Sequence, residues 1–315
     1  MRDFGSKNTA SIQKSFRTSD IDEVGDESHL TFFEMLGNFS FGGYWKEEAI
    51  KYAQEFITGK DWMNLKIDYV SVFGGDEETP ADEESEKIWK SLGVKDVRRA
   101  GRADNFWGPT GAEGPCGPTT EIYVMGVEVW NIVFNEYYCQ VSDVGGQMLT
   151  KLKTPGIDTG MGLERLAMVS QNVPTIFETD LFALLMEKIE IGVPWHENSI
   201  TNRRIVADHI RGIAFLISDG VRPSNKEAGY VLRRLLRRVI AYAHEENIGD
   251  PPEKLFEEAV RLYSTFPDYK NLDIVGILEI YRAEYGKFIQ SVSGGLKELD
   301  HFIEFERGFE THDYS

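Results

Sequence analysis

The residue pattern changes once along the chain, near residue 202, and that change constrains the fold more than any other feature. Before it, residues 11–17, 29–41, 67–73, 121–125 and 127–138 are short segments that alternate or are rich in aromatic and β-branched residues, separated by turn residues. Such segments read as strands. Helical spacing occurs there in residues 46–56, about 85–92 and from Leu163 through Val169. After it, residues 204–218 and 228–244 repeat apolar positions at helical spacing. Pro251 and Pro252 then break the chain, and helical patterns resume through residue 305. Hairpin-like strands beside scattered helices predict an antiparallel α+β core rather than a βαβ sheet, followed by a mostly α-helical region. The boundary falls near residues 192–202, giving regions 1–200 and 201–315. Residues 108–118 hold four glycines and three prolines, and are expected to be irregular.

A length of 315 residues, 41% of them hydrophobic, supports a sizeable core and two domains. No stretch reads as a signal peptide or a membrane-spanning helix. The two cysteines, Cys116 and Cys139, lack the spacing of a metal or redox motif, so no zinc is expected and a reducing cytoplasm fits. The formal charge of −18 argues against indiscriminate nucleic-acid binding. Residues 76–86 are strongly acidic and residues 233–238 strongly basic, however, and a local basic face can still bind nucleic acid.

Residues 158–165 read Asp-Thr-Gly-Met-Gly-Leu-Glu-Arg. They predict a strand end, a glycine turn and a helix start, with Arg165 about two turns into the helix. Glycines admit close approach of a ligand, and a helix N-terminus offers free N–H groups to an anion. Asp158 could meet a cation, and Arg165 a phosphate or a flat ring. A capped helix with a surface salt bridge is the competing reading.

Other segments carry similar pairs of readings. If residues 29–41 form a strand, Phe32 and Phe33 point to opposite faces, so only one needs the core and the other could stack on a base. Arg17, ending a strand before a polar loop, is either solvated or a ligand contact. The loop around Trp107 has the character of a functional loop. Cys116 has no histidine nearby in sequence to serve as its base, which excludes a thiol nucleophile. Asn131, inside a strand, needs partners in a neighbouring loop or a small ligand. On a helix, Arg233, Arg234, Arg237 and Arg238 fall within one arc, with Val231, Leu232, Leu235 and Leu236 on the other side. Four arginines in six positions point to phosphate binding.

Together these segments resemble the alanyl-tRNA synthetases of bacterial type, a class II aminoacyl-tRNA synthetase family, from about residue 10 to residue 299. Residues 13–25 with 29–42 resemble the family's motif 2, residues 158–166 its motif 3, and residues 204–238 the start of its tRNA-recognition domain. The resemblance implies an antiparallel class II sheet flanked by helices (region 1–200) and a partial helical tRNA-recognition domain (201–315). It implies ATP-dependent activation of alanine and transfer of the alanyl group to the 3′ end of tRNA(Ala), with Mg2+ bridging the ATP phosphates. It places Arg17 at the α-phosphate and Phe33 and Arg165 on either side of adenine. Trp107, Val129, Trp130 and Gly162 line the nucleotide site. Asn131 and Asp158 hold alanine, Asp158 through its ammonium group, and Gly160 helps keep the pocket small. Asn225 matches a residue that reads the G·U pair of the acceptor stem, with Arg233, Arg234, Arg237 and Arg238 on the backbone nearby.

The sequence departs from the family in places. Leu30 stands where many relatives have a histidine that contacts ATP. The loop after Arg17 is short and lacks a lysine found in many members, and the insertion between Glu121 and Trp130 is nearly absent. By the same resemblance, the chain starts after the family's N-terminal helix and motif 1. It ends before the rest of the tRNA-recognition domain, the zinc-bearing editing domain and the C-terminal domain. The expectation is therefore a truncated catalytic fragment, with a partner chain able to carry the missing segments. The alternatives are a paralogue that delivers the amino acid to a carrier, or a non-catalytic module.

Overall fold

A computed structural model describes residues 5–109, 111–141, 147–190, 199–245, 252–266, 269–270 and 272–310. Residues 192–198 of the expected boundary, and Pro251, lie outside them. The chain divides into two compact units. The first comprises Met1–Ser15 and Phe33–Leu181, the second Phe16–Phe32 and Phe182–Ser315.

The first unit is built on one sheet with the strand order β1-β2-β8-β7-β6-β3-β4. Its strands are β1 (Asn8–Phe16), β2 (Phe32–Phe41), β3 (Tyr69–Phe73), β4 (Val97–Ala100), β6 (Gly114–Val124), β7 (Val127–Val141) and β8 (Gln147–Gly162), with the two-residue β5 (Phe106–Trp107) paired to β6. The centre is antiparallel, as the sequence predicts. One edge is not: β3 and β4 run parallel, joined through helix α2 (Glu83–Ser91). A parallel neighbour requires such a crossover, so a single βαβ unit sits on an otherwise antiparallel sheet.

One face of this sheet is apolar. Val70 and Val72, Ile122 and Val124, Trp130, Ile132 and Phe134, and Ile157 and Met161 alternate onto it, as period-2 strands must. Helix α1 (Lys46–Thr58) covers it with Ala49, Ile50, Ala53 and Ile57, whose spacing makes a single stripe. Trp89 of α2 and Leu166 and Val169 of α4 (Leu163–Gln171) complete the core. Asp82 caps α2 by accepting from the Ser85 N–H. The same carboxylate holds the buried Lys46 ammonium at 2.8 Å, with Glu136 at 2.5 Å, a pairing that supports burial of the lysine.

Two expectations need correction. Residues 114–118 are not irregular; they begin β6. A register shift between Cys116 and Thr119 takes up the prolines, since a bulge relieves the ladder where Pro has no N–H. Gly117 is required there, because a Cβ would lie 1.9 Å from the Phe134 carbonyl oxygen. Nor do residues 158–162 form a turn. They are the last residues of the 16-residue β8, which passes straight into α4 with Gly162 as N-cap at φ −70°. Arg165 therefore lies in the first turn of the helix, not about two turns in. Neither Gly160 nor Gly162 has a positive φ; at Gly160, where a Cβ would meet the Met35 sulfur at 2.9 Å, glycine serves space rather than backbone freedom.

The second unit is helical: α5 (Ala183–Glu190), α6 (Ser199–Ser218), α7 (Glu227–Glu245), α8 (Pro252–Tyr263) and α9 (Ile274–Glu310). Ile210, Ile213, Leu232, Leu235, Leu236, Phe256 and Ile277 are fully buried. Residues 16–32, with a 3₁₀ turn at Ser19–Asp22, are bound to α6. Thr31 donates its N–H and hydroxyl to the Asp208 carboxylate at 2.9 and 2.5 Å, and Arg204 donates to the carbonyls of Gly25 and Asp26. Phe32 stacks on Phe215 at 4.4 Å. Phe33, next in β2, is only partly buried, so one of the two phenylalanines enters a core, as alternation predicts. Among the described residues no helix is long and apolar enough to cross a membrane.

Candidate functional site

The sheet face away from α1 carries the polar residues. The register aligns them in a row: Gly160 of β8 faces Asn131 of β7, Asn131 faces Glu121 of β6, and Glu121 faces Ser71 of β3. Val133 faces Asp158, so Asp158 lies on this same face, diagonal to Asn131. Between them on β8 sits Gly160, with the Met35 side chain packed over it.

The Asp158 carboxylate is partly buried, and burial pushes its pKa above the ordinary value. Among the described residues nothing donates to it. The Asn131 Nδ2 donates to Glu121 Oε1 at 3.3 Å, while its Oδ1 is buried without a partner. Two acceptors without a protein donor among the described residues therefore lie on neighbouring strands of this face. Buried acceptors are costly when left unmade, and this pair is complementary to a small cation with several N–H donors. A Cβ on Gly160 would meet the Met35 sulfur at 2.9 Å, so glycine is what lets the Met35 thioether pack at this position.

Arg165 arches back over Gly162, where a Cβ would lie 3.7 Å from the arginine stem. Its guanidinium donates to the Glu128 carbonyl at 3.1 Å and to the Glu128 carboxylate at 3.0 Å, fixing the plane of the group beside the helix start. Met35 faces Gly162 across the β2–β8 pairing, and alternation puts Phe33 on that same face. Phe33 and Arg165 thus border the Gly162 end of the polar face. Trp107 of β5 faces Gly117 and is 37% exposed. Val129 and Trp130 are in the core, Trp130 packing edge-on against Phe56 at 5.7 Å. The structure thus brings Phe33, Asn131, Asp158, Gly160, Gly162 and Arg165 to one face and sets the Trp130 ring on the other. Cys116 is buried, which raises its thiol to about 11, too high for a nucleophile at neutral pH.

The remaining expected residues belong to the helical unit. Arg17 follows β1 and its N–H donates to the Thr31 carbonyl at 2.8 Å. Asn225 is exposed in the segment before α7, and its Oδ1 accepts from Arg233. The arginines of α7 form two pairs. Arg233 and Arg237 donate to the buried Glu284 of α9 at 3.2 and 2.9 Å, and Arg234 and Arg238 to the exposed Asp22 at 2.5 and 3.2 Å. Leu232, Leu235, Leu236 and Val239 fill the opposite side.

Sequence reasoning does not find Glu121, Met35, Glu284 or Asp22. Glu121 has one legible signal: it is a charged residue in an alternating strand at the parity opposite Ile122 and Val124. Its partner cannot be read without the register.

Residues 3–311 match the family described as tRNA synthetases class II (A). Among curated relatives, the chain is similar to an alanine–tRNA ligase of Rubrobacter xylanophilus, 45% identical over 267 residues that cover 75% of this chain and 30% of that protein. It is 40% identical over 329 aligned residues to alanine–tRNA ligases of Dehalococcoides mccartyi and Borrelia hermsii. Each alignment covers 95% of this chain, with 36% of the first relative and 51% of the second. The chain thus spans between 30% and 51% of the length of these relatives.

Proposed function

This chain belongs to the class II (A) tRNA synthetase family, and from that premise we propose that it activates alanine with ATP and transfers the alanyl group to the 3′ end of tRNA(Ala) in the cytoplasm. The observation that carries the proposal is the Asp158 carboxylate, partly buried and unpartnered among the described residues, beside the free Oδ1 of Asn131. A carboxylate desolvated without a partner is a cost unless a cation arrives. The alanine ammonium supplies that cation, and Met35 packed over Gly160 disfavours a larger side chain. The relatives named above are alanine–tRNA ligases, which supports alanine among small amino acids.

In the first step an alanine carboxylate oxygen attacks the α-phosphorus of ATP, the bond to the β-phosphate bridging oxygen breaks, and pyrophosphate leaves. In the second, a ribose hydroxyl of the tRNA attacks the alanyl carbonyl and AMP leaves. The nucleophile of the first step is already anionic, so no protein base is needed, and the work is positioning and charge neutralisation. Asp158 and Asn131 orient the amine. Phe33 and Arg165 sandwich the adenine, with the Glu128 contact holding the guanidinium flat. Trp107 and Gly162 border the nucleotide, Val129 and Trp130 support it from the core, and Arg17 neutralises the α-phosphate. Among the described residues no group of three or more His, Cys, Asp or Glu side chains is placed to hold a metal. Mg2+ would be held mainly by the substrate phosphates and would offset their charge. Asn225 reads the acceptor stem, and the α7 arginines contact its backbone.

Alanine-dependent ATP–pyrophosphate exchange by the full chain tests the first step. Charging of a tRNA that bears the G·U acceptor pair tests the second. Folded protein without exchange overturns the proposal. Exchange without charging restricts it to amino-acid activation.

A further inference from the structure

Glu121 is buried, and three donors converge on its carboxylate. The Ser71 hydroxyl donates at 3.0 Å and the Tyr123 hydroxyl at 2.8 Å to Oε2, and the Asn131 amide donates at 3.3 Å to Oε1. Behind Ser71, the Asn105 Nδ2 donates to its hydroxyl oxygen at 2.9 Å, so the serine proton is directed at the carboxylate. Every hydrogen bond in this row therefore runs toward Glu121. An ionised carboxylate only accepts, and the Asn131 amide has only one orientation that satisfies it: Nδ2 inward. Its Oδ1 is then left on the side of Asp158, without a partner. Were the amide reversed, two acceptors would face each other across the Glu121 contact, and an N–H would point at the site.

We propose that Glu121 is a positioning residue for substrate amine recognition: its carboxylate locks the Asn131 amide so that the carbonyl oxygen, beside Asp158, accepts from the ammonium of the amino acid. The proposal rests on the reading of this site as an amino-acid pocket. Glu121 does not touch substrate. It sets the sign of the group that does, turning a side chain able to donate or accept into one that only accepts. Burial and the nearby Glu128 charge raise the Glu121 pKa. The lock is therefore released by acid at a higher pH than an ordinary carboxylate would allow.

Two measurements on the full chain separate this inference from the function it rests on. In the first, the Asn131 side-chain amide resonances are followed by NMR against pH without ligand. They should titrate with Glu121 in the wild type and lose that titration in Glu121→Gln. Amide resonances that ignore the Glu121 carboxylate overturn the lock, whatever the chain catalyses. In the second, L-alanine binding is compared with that of propionate, which lacks the amine. Asn131→Asp sets two carboxylates against each other and should weaken alanine binding on the order of tenfold, the scale of coupling between contacting polar groups. Combining it with Glu121→Gln reverses the donor direction, restores the net charge and again leaves an oxygen facing the site. The double variant should return to within about threefold of the wild type, with propionate unaffected throughout. A double variant no better than Asn131→Asp overturns the positioning role. A lock seen by NMR in a protein that does not prefer alanine to propionate overturns the amino-acid reading and leaves the lock standing.

Discussion

The two polar regions of this protein treat charge in opposite ways. On the sheet, the Asp158 carboxylate is partly buried and the Asn131 Oδ1 is buried, and neither has a partner among the described residues. On α7, four arginines in six positions look from sequence like the more obvious ligand site, yet each has a carboxylate: Glu284 for Arg233 and Arg237, Asp22 for Arg234 and Arg238. An acceptor left unmade in a partly buried place is poised for a ligand, because binding removes a cost already incurred in folding. An ion pair already made must be loosened or shared before a phosphate gains from it. Density of charge is therefore a weaker guide to a site than absence of a partner.

The largest test of this contrast is Asp158→Asn. Alanine-dependent exchange should fall by more than about a hundredfold, as truncating one member of a desolvated charge pair does. The ligand-free protein should melt at a higher temperature, since a desolvated charge is removed. A lower melting temperature would mean that Asp158 has a structural partner and would dissolve the contrast. The pH dependence follows the same logic. The folded-state pKa of Asp158 is raised, so between its unfolded value near 3.8 and that higher value the folded state binds more protons. Its contribution to ligand-free stability should thus decline as pH rises through this window, while alanine affinity rises over the same window. Calorimetry across pH, with and without alanine, reads both.

Glu284→Gln comes next. It leaves two guanidinium groups without their carboxylate in a mostly buried position and should cost about 2 kcal/mol, below the 3–5 of a fully buried pair because both arginines are partly exposed. Denaturant midpoints measure it. The freed arginines should bind acceptor-stem RNA more tightly and with a steeper salt slope. Unchanged RNA affinity would assign the α7 arginines to structure alone.

Arg237→Ala should weaken RNA binding by a smaller factor, reduce the salt slope by about one, and spare alanine-dependent exchange. Equal loss of binding and exchange would indicate a general structural defect instead. The smallest effect is expected from Asp22→Asn. Exposed ion pairs contribute little, so its thermal midpoint should match the wild type while Arg234 and Arg238 become available to phosphate. A large drop in the midpoint would show that residues 16–32 depend on this contact as much as on Asp208.

Much of the first unit is legible in the sequence because period-2 alternation and helical spacing are local. β1, β2, β3 and β7, and α1 and α2, fall within a few residues of where the pattern puts them. Sequence and structure part where a local signal has a non-local resolution. Prolines and glycines at 114–118 signal irregularity, but a bulge opposite β7 accommodates them within a strand. The glycines at 160 and 162 signal a turn, but both end strand β8, and at 160 glycine is needed for room beside Met35. Strand β4 is not legible because four residues carry too little pattern. In the helical unit the burial of Leu232, Leu235 and Leu236 follows from spacing, while the partners of the arginines lie some fifty and two hundred residues away in sequence, for example Glu284 and Asp22.

The sequence by itself determined which elements form and which residue types are available, because backbone preference and hydrophobic period act over a few residues. It also carried the motifs that tie the chain to its family. Only the tertiary structure decided which polar groups are left without partners. Strand register is a long-range property, and it is register that sets Asp158, Gly160, Asn131, Glu121 and Ser71 on one face, and Glu121 against the inward side of the Asn131 amide. A one-residue slip would exchange them for the core. The chemistry of the site is thus written in the residues, but the orientation of its acceptors is fixed by the sheet.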